Sequence, residues 1–531
     1  MSRWRRVLRV VTVLAAICVS AGWVGGCGGS GQQAGSAAGA VVTTSSGAVR
    51  GTVTADHRRF DGIPYAAAPI GALRWTPPEP HAHWDGTRAA TAPGAECPQQ
   101  RALVVRGPDD VAGDEDCLFL NVWTPARSAA KRRPVLVWIH GGAFQVGSGD
   151  SYDPSRLVTA GDMVVVTINY RLGALGFLAD PVFSHDGGQV SNFGLLDQQA
   201  ALRWVRDNIA AFGGDPARVT IAGESSGATS VCDHLISPAS AGLFAAVVLQ
   251  SGRCQVQAPR ETAARISADY VTGFGCGAAE PVAVAQCMRA LPPYRLVAAP
   301  LSYSTSGGTA TPGPVTGQPL LPDNPVAAVR AGKAARVPVL IGTNHDEATG
   351  IVAATGPPAT VEQYLDALAK AFGSDADNVA AAYPAAAYAH PASALAAAFT
   401  DHDFACPVST LADALSRGAP VYQYEFDDTT AASPGGLVAG TPFPLGASHT
   451  VELPYLFGVA GLPDPATAPQ QNLSAQMIAY WAAFVNTGNP HTAGQPEWPR
   501  HTGGEVLTLR PGATAAGSDF TRRHHCDHWV G

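Results

Sequence analysis

Residues 218–230 read Arg218-Val219-Thr220-Ile221-Ala222-Gly223-Glu224-Ser225-Ser226-Gly227-Ala228-Thr229-Ser230. A short β-branched run enters a serine that has a glycine two residues away on each side. A helix-compatible stretch follows. This is the strand–turn–helix setting of a nucleophile elbow, in which small flanking residues allow the turn to be tight enough to expose a serine hydroxyl above a sheet. Ser225 is therefore a candidate nucleophile. In a chain with 58 glycines the bare pattern arises by chance about a few tenths of a time. The reading thus depends on finding an oxyanion hole, a base and an acid elsewhere.

The surrounding sequence predicts a sheet that can carry such an elbow. Apolar, β-branched runs occur at 134–139, 163–169, 218–222, 245–250, 337–342 and 421–426. Near-continuous runs of this kind suit strands covered on both faces. Leu195, Leu202, Val205, Ile209 and Phe212 recur at helical spacing, which predicts a helix over 193–212, stopped by Gly213-Gly214-Asp215-Pro216. Strands alternating with helices imply an α/β fold with a mostly parallel sheet, and catalytic groups belong at its carboxyl ends. Residues 301–325, rich in Ser, Thr, Gly and Pro, read as loop.

Bulk properties narrow the function. The chain has 531 residues, 46% hydrophobic and 14% charged, enough for one large α/β domain or two smaller ones. A net charge of −8 gives no reason to expect a nucleic-acid partner. No His-Glu-x-x-His, nucleotide-binding fingerprint or P-loop occurs, so no cofactor and no metal is expected.

The N-terminus predicts export. Arg3, Arg5, Arg6 and Arg9 precede an apolar run over 10–24, which is the layout of a secretory signal. The run ends in Val24-Gly25-Gly26-Cys27, which resembles a bacterial lipobox. Residues 1–26 then form a signal peptide and Cys27 is the lipidation site. Residues 27–46 form a flexible tether, and 47–531 the folded domain. The product is a cell-envelope lipoprotein or a secreted protein. Ten cysteines suit an oxidising compartment, and eight of them lie outside the export segment.

A second glycine turn completes the chemistry. The run at 134–139 ends in His140-Gly141-Gly142-Ala143-Phe144. Backbone N–H groups of Gly142 and Ala143, with that of Ser226, can serve as oxyanion donors.

Taken together, these motifs resemble a type-B carboxylesterase, of the carboxylesterase/cholinesterase-like branch of the α/β-hydrolases. The further marks are Gly62-Ile63-Pro64-Tyr65, Arg74-Trp75, Glu115-Asp116-Cys117-Leu118-Phe119-Leu120-Asn121, Asn169-Tyr170-Arg171-Leu172-Gly173 and Gly194-Leu195-Leu196-Asp197-Gln198. The resemblance implies an α/β-hydrolase fold and a Ser-Glu-His triad of Ser225, Glu347 and His449. Glu347 lies in Thr343-Asn344-His345-Asp346-Glu347, with Asp346 as rival acid. His449 lies in Ala447-Ser448-His449-Thr450-Val451-Glu452. Ala348 and Thr450 stand where the family tends to have glycine, and Ser226 where it commonly has alanine. Glu224, Ser251 and Glu452 match residues the family keeps around the site. Arg74–Glu115 and Arg171–Asp197 match structural ion pairs.

The resemblance also implies disulfides Cys97–Cys117, Cys276–Cys287 and Cys406–Cys526. For Cys232 and Cys254 both a bridge and two buried thiols stay open. His524, His525 and His528 read as a surface cluster beside a disulfide. Three functions are expected or weighed. The first is an exported esterase acting on neutral short- to medium-chain esters. The second is a catalytically silent binding or adhesion protein on the same fold. The third is a lipase, which the short acidic loop over 98–116 does not suit. That loop has no aromatic to hold a choline group, and 306–311 has none to narrow an acyl pocket.

Overall fold

The computed structural model describes residues 41–101, 107–127, 129–277, 280–306, 309–433 and 440–529. The expected signal segment, its Cys27 and most of the tether lie outside them.

Eleven strands form the central sheet. In chain order they are β1 (Thr52–Val53), β2 (His57–Pro64), β3 (Phe119–Pro125), β4 (Arg133–Ile139), β5 (Val164–Ile168), β6 (Gly214–Glu224), β7 (Ala246–Gln250), β8 (Val339–Asn344), β9 (Val421–Phe426), β10 (Val506–Leu509) and β11 (Ala515–Gly517). Their order across the sheet is β11-β10-β9-β8-β7-β6-β4-β5-β3-β2-β1. From β5 to β10 every neighbour pair is parallel, and both edges are antiparallel. The six runs read from sequence are β4 to β9.

Alternation along the strands buries both faces. Val135, Val137 and Ile139 enter one core, which includes Leu195, Leu202 and Val205 of helix α1 (Phe193–Asn208). Leu136 and Trp138 enter the opposite core with Met477, Tyr480, Trp481 and Phe484 of a helix at Ala468–Thr487. Helix α1 ends four residues earlier than the sequence suggests. Residues Ile209–Phe212 tighten into a 3-10 turn that Gly213 closes with φ 90°.

The folded body begins before residue 47, which corrects the tether boundary. Val41–Thr44 pairs with Gly47–Arg50 in an antiparallel hairpin, and Val42 and Val49 are buried in the first core. The hydrophobic alternation of Val42 and Thr44, both buried, holds this segment to the domain.

Four disulfides are formed: Cys97–Cys117, Cys276–Cys287, Cys406–Cys526 and Cys232–Cys254. The last resolves the alternative left open by the sequence. The ion pairs Arg74–Glu115 and Arg171–Asp197 are both present and nearly buried. Among the described residues, no helix is long and apolar enough to cross a membrane.

Candidate active site

Ser225 stands between β6 and helix α2 (Ser226–Ile236), at φ 55° and ψ −123°. A non-glycine residue with positive φ is a strained one, and such strain clusters where function needs a side chain aimed. The flanking glycines are required by space. A Cβ on Gly227 would lie 2.0 Å from the Ile139 carbonyl oxygen, and one on Gly223 would lie 2.5 Å from the Gly227 carbonyl carbon. The Ser225 N–H donates to the Gln250 carbonyl at 2.9 Å, tying the turn to β7.

The glycine turn after β4 lies beside it. Gly142 has φ 110°, and Ala143 and Phe144 are left-handed at 56° and 59°. A Cβ on Gly142 would strike the Val146 carbonyl oxygen at 2.1 Å. Gly142, Ala143 and Ser226 all line one cavity with Ser225 and His449. Among the described residues, no protein acceptor takes the N–H of Gly142, Ala143 or Ser226, which leaves them able to serve a ligand oxygen. The Ser226 hydroxyl accepts a hydrogen bond from Phe144 N–H at 3.2 Å. The residue that differs from the family thus ties the glycine turn to the helix that follows the serine.

The histidine and the acid come from loops after β9 and β8. His449 Nδ1 is 2.5 Å from Glu347 Oε2. Glu347 Oε1 accepts from Thr343 Oγ1 at 2.7 Å and from Asn344 N–H at 2.8 Å. Burial would raise the Glu347 carboxyl, but the charge and hydrogen bond of His449, with Ser251 and the Asn344 N–H, hold it below its ordinary value. Asp346 is used otherwise: its Oδ2 accepts from Ala447 N–H at 2.9 Å and braces the histidine loop. Glu347, the acid the motif favours, thus lies on the imidazole, and its rival Asp346 on the loop backbone.

The neighbouring carboxylates also have defined partners. Glu452 accepts from Asn344 Nδ2 at 2.8 Å and from Gln250 Nε2 at 3.1 Å. Ser251, buried and at φ 54°, stands beside Glu347 and helps lower its pKa. Glu224 Oε1 lies 3.1 Å from His449 Nε2. Burial, which disfavours its charge, raises Glu224 to about 8, with His449 opposing. Burial also works against the His449 charge, yet Glu224 and Glu347 outweigh it and hold the imidazole near 9. The two groups titrate together, since the charge of Glu224 is one of the causes that raise His449 and the charge of His449 lowers Glu224. Three buried carboxylates around a single imidazole make the cluster retain a proton that the separate groups would lose near neutral pH.

The cavity holds about 410 Å³. Its apolar wall comes from Phe144, Val256, Tyr303, Ile351 and Phe404. Of these only Phe144 falls in a motif read from the sequence; Val256, Tyr303, Ile351, Phe404 and Arg253 in the same wall do not. The stretch over 306–311 lacks aromatics, but Tyr303 just before it supplies one. Its hydroxyl donates to the Phe177 carbonyl at 2.9 Å, which fixes the ring.

The C-terminal histidines are not a surface cluster. His525 is exposed and His528 half-buried, but His524 is only 3% exposed. Its Nδ1 meets Asp401 Oδ1 at 2.5 Å and its Nε2 meets Glu425 Oε1 at 2.8 Å. Glu425 also receives Arg523 at 2.5 Å and His345 Nδ1 at 2.7 Å. His345, Glu425 and His524 offer donor atoms within 4.8 Å of one another. Each is engaged in these hydrogen bonds, and the Arg523 cation occupies the same carboxylate, so the group is a buried charge cluster. An imidazole between two acids is stable inside because both ring nitrogens are satisfied.

A serine at a strained elbow, an imidazole on a buried carboxylate and free N–H groups around one cavity define an ester- or amide-cleaving hydrolase. The chain belongs to the carboxylesterase family, whose model matches residues 38–529, and is a carboxylic ester hydrolase. It is 35% identical over 475 residues to the para-nitrobenzyl esterase of Bacillus subtilis (strain 168), covering 87% of this chain and 92% of that protein. It is 35% identical over 487 residues to the fumonisin B1 esterase of Sphingopyxis macrogoltabida, covering 88% and 85%. Among solved structures it resembles a thermophilic PNB esterase, with a TM-score of 0.77 at 32% identity, covering 92% of this chain and 99% of that one.

Proposed function

We propose that this carboxylesterase cleaves neutral short- to medium-chain esters by a Ser225–His449–Glu347 triad and an acyl-enzyme intermediate. His449 takes the Ser225 proton as Oγ attacks the ester carbonyl and returns it to the leaving alcohol. Glu347 orients the ring and stabilises its charged form. The N–H groups of Gly142, Ala143 and Ser226 receive the oxyanion. Water then repeats the sequence on the acyl-enzyme.

The observation that carries this reading is the 2.5 Å His449–Glu347 contact beside a left-handed Ser225 in one cavity. Its mostly apolar wall favours burial of acyl and alcohol chains, and each buried methylene adds up to about 0.8 kcal/mol. Among the described residues no tryptophan lines the cavity, so choline esters lack the strongest cation–π platform. The test is a panel of 4-nitrophenyl esters of graded acyl length, with butyrylcholine and an emulsified triglyceride alongside. Neutral short to medium esters should dominate; a preference for butyrylcholine or the emulsion would overturn the specificity.

The proposal extends to location. Residues 1–26 act as the export signal, Cys27 is acylated, and the segment up to Ala40 tethers the enzyme to the cell envelope. The four disulfides fit passage through an oxidising compartment.

A further inference from the structure

Among the described residues, Arg253 is the one arginine in the wall of the active-site cavity. It follows β7 by three residues, and its neighbour Cys254 is bridged to Cys232 of α2, the helix that begins at the elbow. Its carbonyl also takes a long hydrogen bond, 3.4 Å, from the Thr229 hydroxyl on the same helix. The backbone carrying Arg253 is thus fastened to the element that carries Ser225.

The guanidinium itself has little to hold it. Among the described residues it makes no ion pair and no side-chain hydrogen bond. Its recorded contact is with the Phe404 ring, 5.8 Å from the centroid. That same ring packs 5.3 Å from the His449 imidazole, so the cation lies no more than about 11 Å from the base. Desolvation lowers the Arg253 pKa, with the charge of Asp403 opposing it. Asp403 is already engaged by His402 at 2.7 Å. Outside the described residues the chain contains no Asp or Glu.

A partly desolvated arginine without a partner is costly, and its planar fork matches a carboxylate bidentately. We propose that Arg253 forms an anion subsite, so that the enzyme prefers esters bearing a free carboxylate, such as half-esters of dicarboxylic acids, over neutral esters of equal length. Neutral esters remain substrates. The subsite adds selectivity to the esterase site proposed above and rests on that reading.

The experiment uses the mature enzyme and two matched pairs. Methyl hydrogen glutarate against methyl pentanoate puts the charge on the acyl side. 4-Acetoxybutyrate against butyl acetate puts it on the alcohol side. At low salt, at least one anionic ester should exceed its neutral partner in kcat/KM by about tenfold or more, as one charge-assisted pair allows. Sodium chloride should erode the difference. Arg253→Gln should abolish it by bringing the anionic ester down to the rate of its neutral partner, and Arg253→Lys should keep part of it. Free glutarate should inhibit wild-type hydrolysis of methyl pentanoate competitively, a readout independent of how the variants fold. Equal rates within both pairs, a preference that survives Arg253→Gln, or no inhibition by glutarate would overturn the subsite. Failure to hydrolyse methyl pentanoate at all would instead overturn the esterase reading.

Discussion

His449 Nε2 lies 3.1 Å from Glu224 Oε1, so the residue just before Ser225 shares the imidazole that activates the serine in our proposal. The charge of Glu224 is one of the two main causes that hold His449 near 9. A general base must be unprotonated to act, so the acid limb of kcat/KM should sit well above the ordinary imidazole value of about 6.5. Replacing Glu224 with Gln removes the raising charge and keeps the burial. The limb should then move to lower pH. A pH–rate profile checks this, and an unmoved limb would contradict the coupling.

The same shift affects stability. A histidine whose folded pKa is raised contributes stability that is fully present below its unfolded value of about 6.5 and is lost as pH rises through the folded value of about 9. The gap in unfolding free energy between wild type and His449→Ala should therefore be larger at pH 6 than at pH 9.5. Urea titrations at the two pH values measure it, and a gap that widens with pH would have the wrong sign.

Ser226→Ala tests the bond between the glycine turn and α2. The substitution removes the Ser226 Oγ acceptor of Phe144 N–H and leaves the Ser226 N–H in place. Loss of one neutral hydrogen bond costs about 0.5–1.5 kcal/mol. If that bond positions the oxyanion donors, kcat should fall by about two- to tenfold with KM little changed. An unaltered kcat with lowered stability would make the hydroxyl structural only.

The Cys406–Cys526 bridge spans a sequence separation of 120 residues. In the chain-entropy model, closing a loop of that size contributes about 4–5 kcal/mol. Changing both cysteines to serine should lower unfolding stability by about that amount. Non-reducing peptide mapping of exported protein should recover all four bridges, Cys232–Cys254 included. A free thiol at any of these eight positions would contradict the assignment.

Mass spectrometry of the enzyme purified from membranes should find an acylated Cys27 as the first residue. Cys27→Ala should release soluble enzyme or leave the precursor unprocessed. An unmodified N-terminus elsewhere would refute the lipoprotein proposal.

The sheet was legible because its central strands are buried on both faces and so read as unbroken apolar runs, as in β4 and β9. The serine and the glycine turn were legible because their spacing in sequence reflects a steric need, as the 2.0 Å clash at Gly227 makes plain, whereas His449 was reached only through the family resemblance. Choosing Glu347 over Asp346 needed the motif, because adjacent acids differ only in direction. Arg253, Phe404 and Tyr303 were missed because no local pattern marks them. They converge on the cavity from segments far apart in the chain. His524 was misread for a similar reason: its burial comes from Asp401 and Glu425, each about a hundred residues or more away in sequence.

The central claim is that Ser225 is the nucleophile and works as one unit with His449 and Glu347. Treating the enzyme with a 4-nitrophenyl organophosphonate and mapping the adduct by mass spectrometry tests it most directly. The account predicts one adduct per chain, on Ser225, with activity lost in step, and a Ser225→Ala variant that folds, takes no label and has kcat lowered by about 10⁴-fold or more. An adduct on another residue, or a Ser225→Ala variant within tenfold of wild-type activity, would contradict it.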